Sequence, residues 1–201
     1  MMTEDQRLII LIASRLLTYP DEQLLAEQTD IRQCIREDIS STLTKVMMHQ
    51  AVKPLYQLRL RELQEVYVES FDYKDLTALY LTAHECGDSR KRGLALVELQ
   101  QLLSNSGYER LNEELPDYIP LLFELLTLMP KYAESEQLHR RLACAVYQIM
   151  NRLPEHHPYL KLFEVLIAVV FDSPSAEEIE QFQKEREEAD VDPLPYPMLY
   201  Q

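Results

Sequence analysis

Three glycines in 201 residues, with apolar side chains recurring every three or four positions, constrain this chain to helices. An apolar stripe at that spacing covers one face of a helix, whereas a strand needs strict alternation, and no alternating run here is long enough to build a sheet. With 46% hydrophobic residues the chain can bury a substantial core, and its length suits a single domain. The expected architecture is an all-α, single-domain helical bundle of about nine or ten helices.

Punctuation residues divide the chain. Thr3 and Gln6 form a capping box for a first helix that ends before Pro20. A second helical pattern through Ile31, Ile35, Ile39, Leu43 and Val46 or Met47 runs on to about His49, and Pro54 is placed to open the next helix at its first position. That helix carries Leu55 to Phe71. Asp72 then caps a helix over "YKDLTALYLTAHEC", which Gly87 ends in a left-handed conformation. Asp88 reads as the N-cap of "SRKRGLALVELQQLLSN", which Gly107 closes. Later helices span about Pro116–Met129, Ser135–Leu153 and Pro158–Phe171, and Ser173-Pro174 starts an acidic one. The expected division is a helical domain over 1–172, an acidic helix over 173–188 and a proline-rich, flexible tail over 189–201.

Charge narrows the function. A net charge of -14 argues against binding a phosphate backbone and favours a cationic partner. From Asp172 to Gln201 nine acidic residues face only Lys184 and Arg186. Three scattered cysteines without a C-x-x-C motif fit a reducing compartment, so a cytoplasmic location is expected. "LIILIASRLL" is too short for a membrane span and carries Arg15.

The stretch "TAHECGDSRKRGLALVELQ" gathers a histidine, a carboxylate, a thiol and an Arg-Lys-Arg cluster. His84 and Cys86 lie two apart, which sets them about 200° apart around a helix and spoils a shared metal ion. Metal ligation is therefore not expected, and nucleophilic catalysis is not expected either, because Cys86, followed by Gly87, has no family signature around it. Arg90, Lys91 and Arg92 sit at a helix start, where the dipole already disfavours cations. They are either neutralised by Glu85, Asp88 and Glu98 or form an electropositive contact for an acidic element of a partner or of the chain's own tail. In "ELPDYIPLLFELL", Pro120 either bends a helix or marks its true start, and Asp117 and Glu124 share a helix face. An ion pair, or a grip on a basic peptide, suits them better than acid–base catalysis. Tyr67 and Phe71, one turn apart, are core residues or the wall of a groove.

The stretch "YVESFDYKDLTALYLTAHECGDSRKRGLALVELQ", followed by "ELPDYIPLLFELL", resembles the NarJ-type assembly chaperones of respiratory nitrate reductase, within the TorD/DmsD group of redox-enzyme chaperones. The likeness runs from the first helix to about Phe171, and Ser89 to Gly93 is its most specific part. The group's Pro-Asp-His motif is matched by Pro116 and Asp117, followed by Glu124, while Tyr118 replaces the histidine; the tyrosine cannot titrate as an imidazole but can still donate a hydrogen bond. The resemblance implies a cytoplasmic, non-enzymatic, monomeric TorD-like bundle that holds no cofactor stably itself. Its implied client is the apo catalytic subunit of the membrane-bound nitrate reductase, including a basic N-terminal segment, kept competent for molybdenum cofactor insertion. Tyr67, Phe71, Asp117, Tyr118 and Glu124 are the candidate client-binding residues, and Arg90, Lys91 and Arg92 a candidate contact for client or tail. The competing readings are a small metal- or nucleotide-dependent enzyme around His84, Cys86 and the Arg-Lys-Arg cluster, and an acidic scaffold acting through its tail.

Overall fold

The computed structural model describes residues 2–74, 76–87, 89–107, 114–130 and 133–190, and their regular elements are all helices, with no strand among them. The helices are α1 (Glu4–Leu16), α2 (Glu22–Ala26), α3 (Gln28–Glu37), α4 (Thr42–Leu55), α5 (Leu60–Tyr67), α6 (Leu81–Cys86), α7 (Lys91–Asn105), α8 (Ile119–Leu128), α9 (Ala133–Arg152), α10 (Leu160–Val165) and α11 (Ala176–Asp190). Two π-helical turns, Val68–Asp72 and Leu166–Val170, extend α5 and α10.

The capping box forms as the sequence predicts. Thr3 Oγ1 accepts from the Gln6 amide at 3.2 Å, and Gln6 Oε1 accepts from the Thr3 amide at 2.9 Å. α1 then lies along α8, burying Ile9, Ile10, Ala13 and Leu16 against Leu122, Phe123 and Leu125. α4 packs on α10, α6 lies between α7 and α11, and α9 touches α6, α8, α10 and α11. Phe182 brings α11 into the common core.

Four expected boundaries move. The pattern continued to His49 breaks after Glu37, because the amides of Ser40 and Ser41 turn to the Asp5 carboxylate at 2.9–3.2 Å and Ser41 then caps α4. Pro54 does not open a helix; it sits in the last turn of α4, held there by burial of Ala51, Val52 and Leu55. The next helix starts at Leu60, where Glu62 bonds the Arg59 amide. Asp72 caps no helix: it ends a π-turn, and α6 begins only at Leu81. These breaks raise the count to eleven α-helices among the described residues.

Gly87 and Gly107 take φ values of 54° and 69° at the ends of α6 and α7, the left-handed conformation that only glycine adopts cheaply. The helix expected from about Pro116 starts only at Ile119, so Pro120 marks a helix start, in the first turn of α8. Asp88 and the segment 191–201 lie outside the described residues, so neither the expected cap nor the expected flexible tail has a structural counterpart here.

Candidate functional site

The motif residues are held where two loops cross. The segment entering α6 pairs with the segment entering α8 through a single antiparallel bridge between Tyr80 and Tyr118. The Leu81 amide donates to the Asp117 carbonyl at 2.8 Å and the Ile119 amide to the Leu79 carbonyl at 2.9 Å. Asp117 therefore precedes α8 instead of lying within it, and it does not share a helix face with Glu124 as expected.

Asp117 is fully buried. Its Oδ2 accepts from the Thr82 hydroxyl and, at 3.3 Å, from the Thr82 amide in the first turn of α6. Arg92 completes the junction: its Nε donates to Thr82 Oγ1 at 3.1 Å, and Nη2 stands 3.8 Å from Asp117 Oδ2. A buried carboxylate is tolerated only with such partners. Arg92 is thus turned inward, while Arg90 and Lys91 remain exposed beside Leu94 and Val97, which are also exposed. The Arg-Lys-Arg cluster splits into one internal and two surface cations.

Tyr118 and Tyr67 meet over the end of α1. Their hydroxyls lie 3.1 Å apart, and each is 3.1 Å from the Leu17 carbonyl. Burial pushes both phenols well above the ordinary range, so both stay protonated. Below them, Phe71 is 2% exposed and packs edge-on against Tyr67 and Tyr159 with ring centroids 5.2 and 5.1 Å apart. Phe71 is a core residue in this arrangement. Glu124 accepts from Ser14 Oγ at 2.9 Å, tying α8 to α1.

Outward from this core the surface is aromatic and acidic. Tyr19, 51% exposed, stacks edge-on against Tyr67 at 5.6 Å, and Gln64 bonds the carbonyl of the adjacent Pro20. Tyr19, Gln64, Glu65, Val68 and Glu69 line a shallow cavity of about 370 Å³, with Arg61 bonded to Glu65 at its edge. On the other side Tyr80 stacks on Tyr118 at 5.6 Å and bonds Glu114 at 3.3 Å. Partial burial raises the Asp72 carboxyl, and its charge acts on Tyr67, Tyr80 and Tyr118. Tyr73 and Leu76 project from the same loop. Tyr19, Glu65, Glu69, Asp72, Tyr80 and Glu114 were not among the sequence-predicted site residues. A faint signal existed in the i, i+4 pair Glu65 and Glu69 beside Val68, a combination suited to a groove rim.

Among the described residues the metal and nucleophile readings meet no supporting geometry. Among the described residues no three His, Cys, Asp or Glu side chains converge as a metal site. His84 is buried, donates from Nε2 to the Ala78 carbonyl at 2.7 Å, and has its pKa pushed down to about 4 by burial, so it is neutral at pH 7. Burial and Glu85 push the half-buried Cys86 thiol up, away from the thiolate a nucleophile needs. Glu85 itself is held by Arg141 through two bonds of 2.7 and 2.8 Å. Cys34, Cys86 and Cys144 are all free thiols, and no described helix is long and apolar enough to cross a membrane.

Comparison with known proteins places this geometry in context. A family model described as nitrate reductase delta subunit matches residues 36–164. The chain is 29% identical over 181 residues to the probable nitrate reductase molybdenum cofactor assembly chaperone NarJ of Bacillus subtilis, covering 90% of this chain and 97% of that protein. It is 32% identical over 162 residues to the nitrate reductase molybdenum cofactor assembly chaperone NarJ of Escherichia coli, covering 79% of this chain and 67% of that one. The probable chaperone NarW of Escherichia coli is 30% identical over 172 residues, 85% of this chain and 71% of NarW.

Proposed function

Because the chain belongs to the nitrate reductase delta subunit family, whose relatives above are assembly chaperones and not catalysts, we propose that it chaperones a nitrate reductase catalytic subunit through the aromatic, acidic face around Tyr67 and Tyr118. Its client is the apo subunit, held in a form that accepts the molybdenum cofactor. The chaperone contributes binding and timing and needs no chemistry of its own. It acts as a monomer in the cytoplasm, before the enzyme reaches the membrane.

One observation carries the binding mode: exposed Tyr19 lies against Tyr67 beside Glu65 and Glu69, while Glu114 bonds Tyr80 and the Asp72 charge acts on Tyr67 and Tyr118. An amphipathic basic segment, such as the N-terminus of the catalytic subunit, meets both needs of that surface. Its apolar residues rest on the tyrosines and its arginines face the carboxylates. In this scheme Tyr67 and Tyr118 form the floor, Phe71 supports it, and Glu124 and Asp117 position the helices that frame it. Arg90 and Lys91, with Leu94 and Val97, offer a separate contact for an acidic element of the client.

Calorimetry with a peptide from the N-terminus of the catalytic subunit tests this reading. Binding should weaken with salt, since exposed charges are screened over about 10 Å at 0.1 M. The pair Glu65→Lys and Glu69→Lys should lower affinity at least tenfold without changing the thermal midpoint by more than a few degrees. Undiminished binding by a folded Glu65→Lys/Glu69→Lys protein would refute the proposed face.

A further inference from the structure

A second cavity, sharing no residue with the face above, opens where the start of α1 meets the α8–α9 turn and the end of the π-turn after α10. Its volume is about 630 Å³, within the roughly 300–1,000 Å³ typical of small-molecule sites. One wall is apolar and adaptable: Met2, Leu126, Met129 and Val170. The wall is fixed from behind. Gln6 Nε2 donates to the Val169 carbonyl at 2.9 Å, His139 Nε2 to the Val170 carbonyl at 3.3 Å, and the His139 ring packs on Phe171 at 4.9 Å.

Arg7 and Arg140 face the same space. On a chain with 34 acidic residues, neither guanidinium forms an ion pair among the described residues, although Glu136 and Asp172 also line the cavity. The two carboxylates are exposed at its edge, and Glu136 already has an interaction of its own. The Nε of Arg7 is more telling, since it is buried and has no hydrogen-bond partner among the described residues. A buried donor without a partner is destabilising, the more so on a charged group. That donor has no accessible surface of its own, so an acceptor in the cavity would reach it only with a turn of the Arg7 side chain, which lines the same space.

We propose that this cavity binds small amphiphilic carboxylates, with Arg7 taking the carboxylate and the Met2, Leu126, Met129 and Val170 wall taking the apolar body. The planar guanidinium matches a carboxylate through two parallel donors. Arg140 adds charge at the mouth. Both halves of the ligand are needed, because Arg7 alone is a single cation in competition with nearby carboxylates and the wall alone distinguishes nothing.

Decanoate is a suitable probe, followed by methyl NMR of the full chain with 13C-labelled methionine. Met2 and Met129 should shift saturably, with the other methionines little affected. Decanol, the same body without charge, should bind at least tenfold more weakly, and acetate, the charge without the body, should give no saturable shift. Arg7→Gln should weaken decanoate at least tenfold while the far-UV circular dichroism stays native. Equal affinity for decanol and decanoate would overturn the proposal, as would unchanged decanoate affinity in Arg7→Gln or the absence of saturable shifts. If Arg7→Gln disturbs the fold, Arg140→Gln supplies a second arm: a several-fold loss supports the site, and no loss alongside equal decanol binding refutes it.

Discussion

Replacing Arg92 with methionine removes the guanidinium that faces the fully buried Asp117 carboxylate at 3.8 Å. At that separation and an effective dielectric constant of about 20, the attraction is about 4 kcal/mol. Most of it offsets the cost of taking the carboxylate out of water, and breaking such a pair typically costs about 3–5 kcal/mol. The Arg92 side chain is 26% exposed, so water recovers part of the loss, and about 3 kcal/mol is the expected destabilisation. In an Asp117→Asn background the same Arg92→Met change should cost about 1 kcal/mol, because no buried charge is left behind. Urea unfolding at pH 7, followed by far-UV circular dichroism, measures all four corners of the cycle, with equal m-values required for the comparison. Arg90→Met and Lys91→Met, at exposed positions, should each stay within about 0.5 kcal/mol of the parent. A cost below about 1 kcal/mol for Arg92→Met, or equal costs in both backgrounds, would refute the internal role assigned to Arg92.

Other outcomes follow from the same geometry. His84 is held neutral with a pKa of about 4 against 6.5 in the unfolded chain. Its folded pKa is depressed, so its contribution is fully present above pH 6.5 and lost as pH falls from there towards 4, about 2 kcal/mol of it by pH 5; His84→Gln should flatten that part of a urea-midpoint-versus-pH curve, and an unchanged curve would contradict it. Phe71→Ala should destabilise by about 3–5 kcal/mol through the cavity it leaves among Tyr67, Tyr159 and Phe163; a loss under 1 kcal/mol in the same assay would make Phe71 a surface residue in practice. Tyr118→Phe should cost only about 1 kcal/mol, because the Tyr67 hydroxyl still reaches the Leu17 carbonyl. A larger loss, read from the thermal midpoint, would show that the hydroxyl pair acts as a unit.

The all-helical class was legible because glycine scarcity and a 3.6-residue period are properties of the chain itself. So were features set within a few residues of one another: the Thr3–Gln6 box and the left-handed glycines at 87 and 107. The losses came where a distant partner overrides local preference. Leu76, Leu79 and Tyr80 have helical spacing after Asp72, yet Leu79 and Leu81 give their backbone groups to Ile119 and Asp117. Ser40 and Ser41 turn towards Asp5 across 35 and 36 positions. No periodicity within a window reports such a partner. Of the candidate site, Asp117 and Tyr118 stand out in the sequence as a motif, whereas Tyr19 becomes relevant only when the end of α1 lands on Tyr67.

On the proposed binding mode the client rests on the face around Tyr19, Tyr67 and Tyr118. Amide hydrogen exchange of the chain, alone and bound to the apo catalytic subunit of nitrate reductase, reads that contact residue by residue. Protection should concentrate at the end of α1, in residues 60–80 and in the strap before α8, with the mouth of the Arg7 cavity unchanged. Protection confined to α7, or to that cavity, with residues 60–80 exchanging as in the free protein, would place the client elsewhere and refute the proposed face.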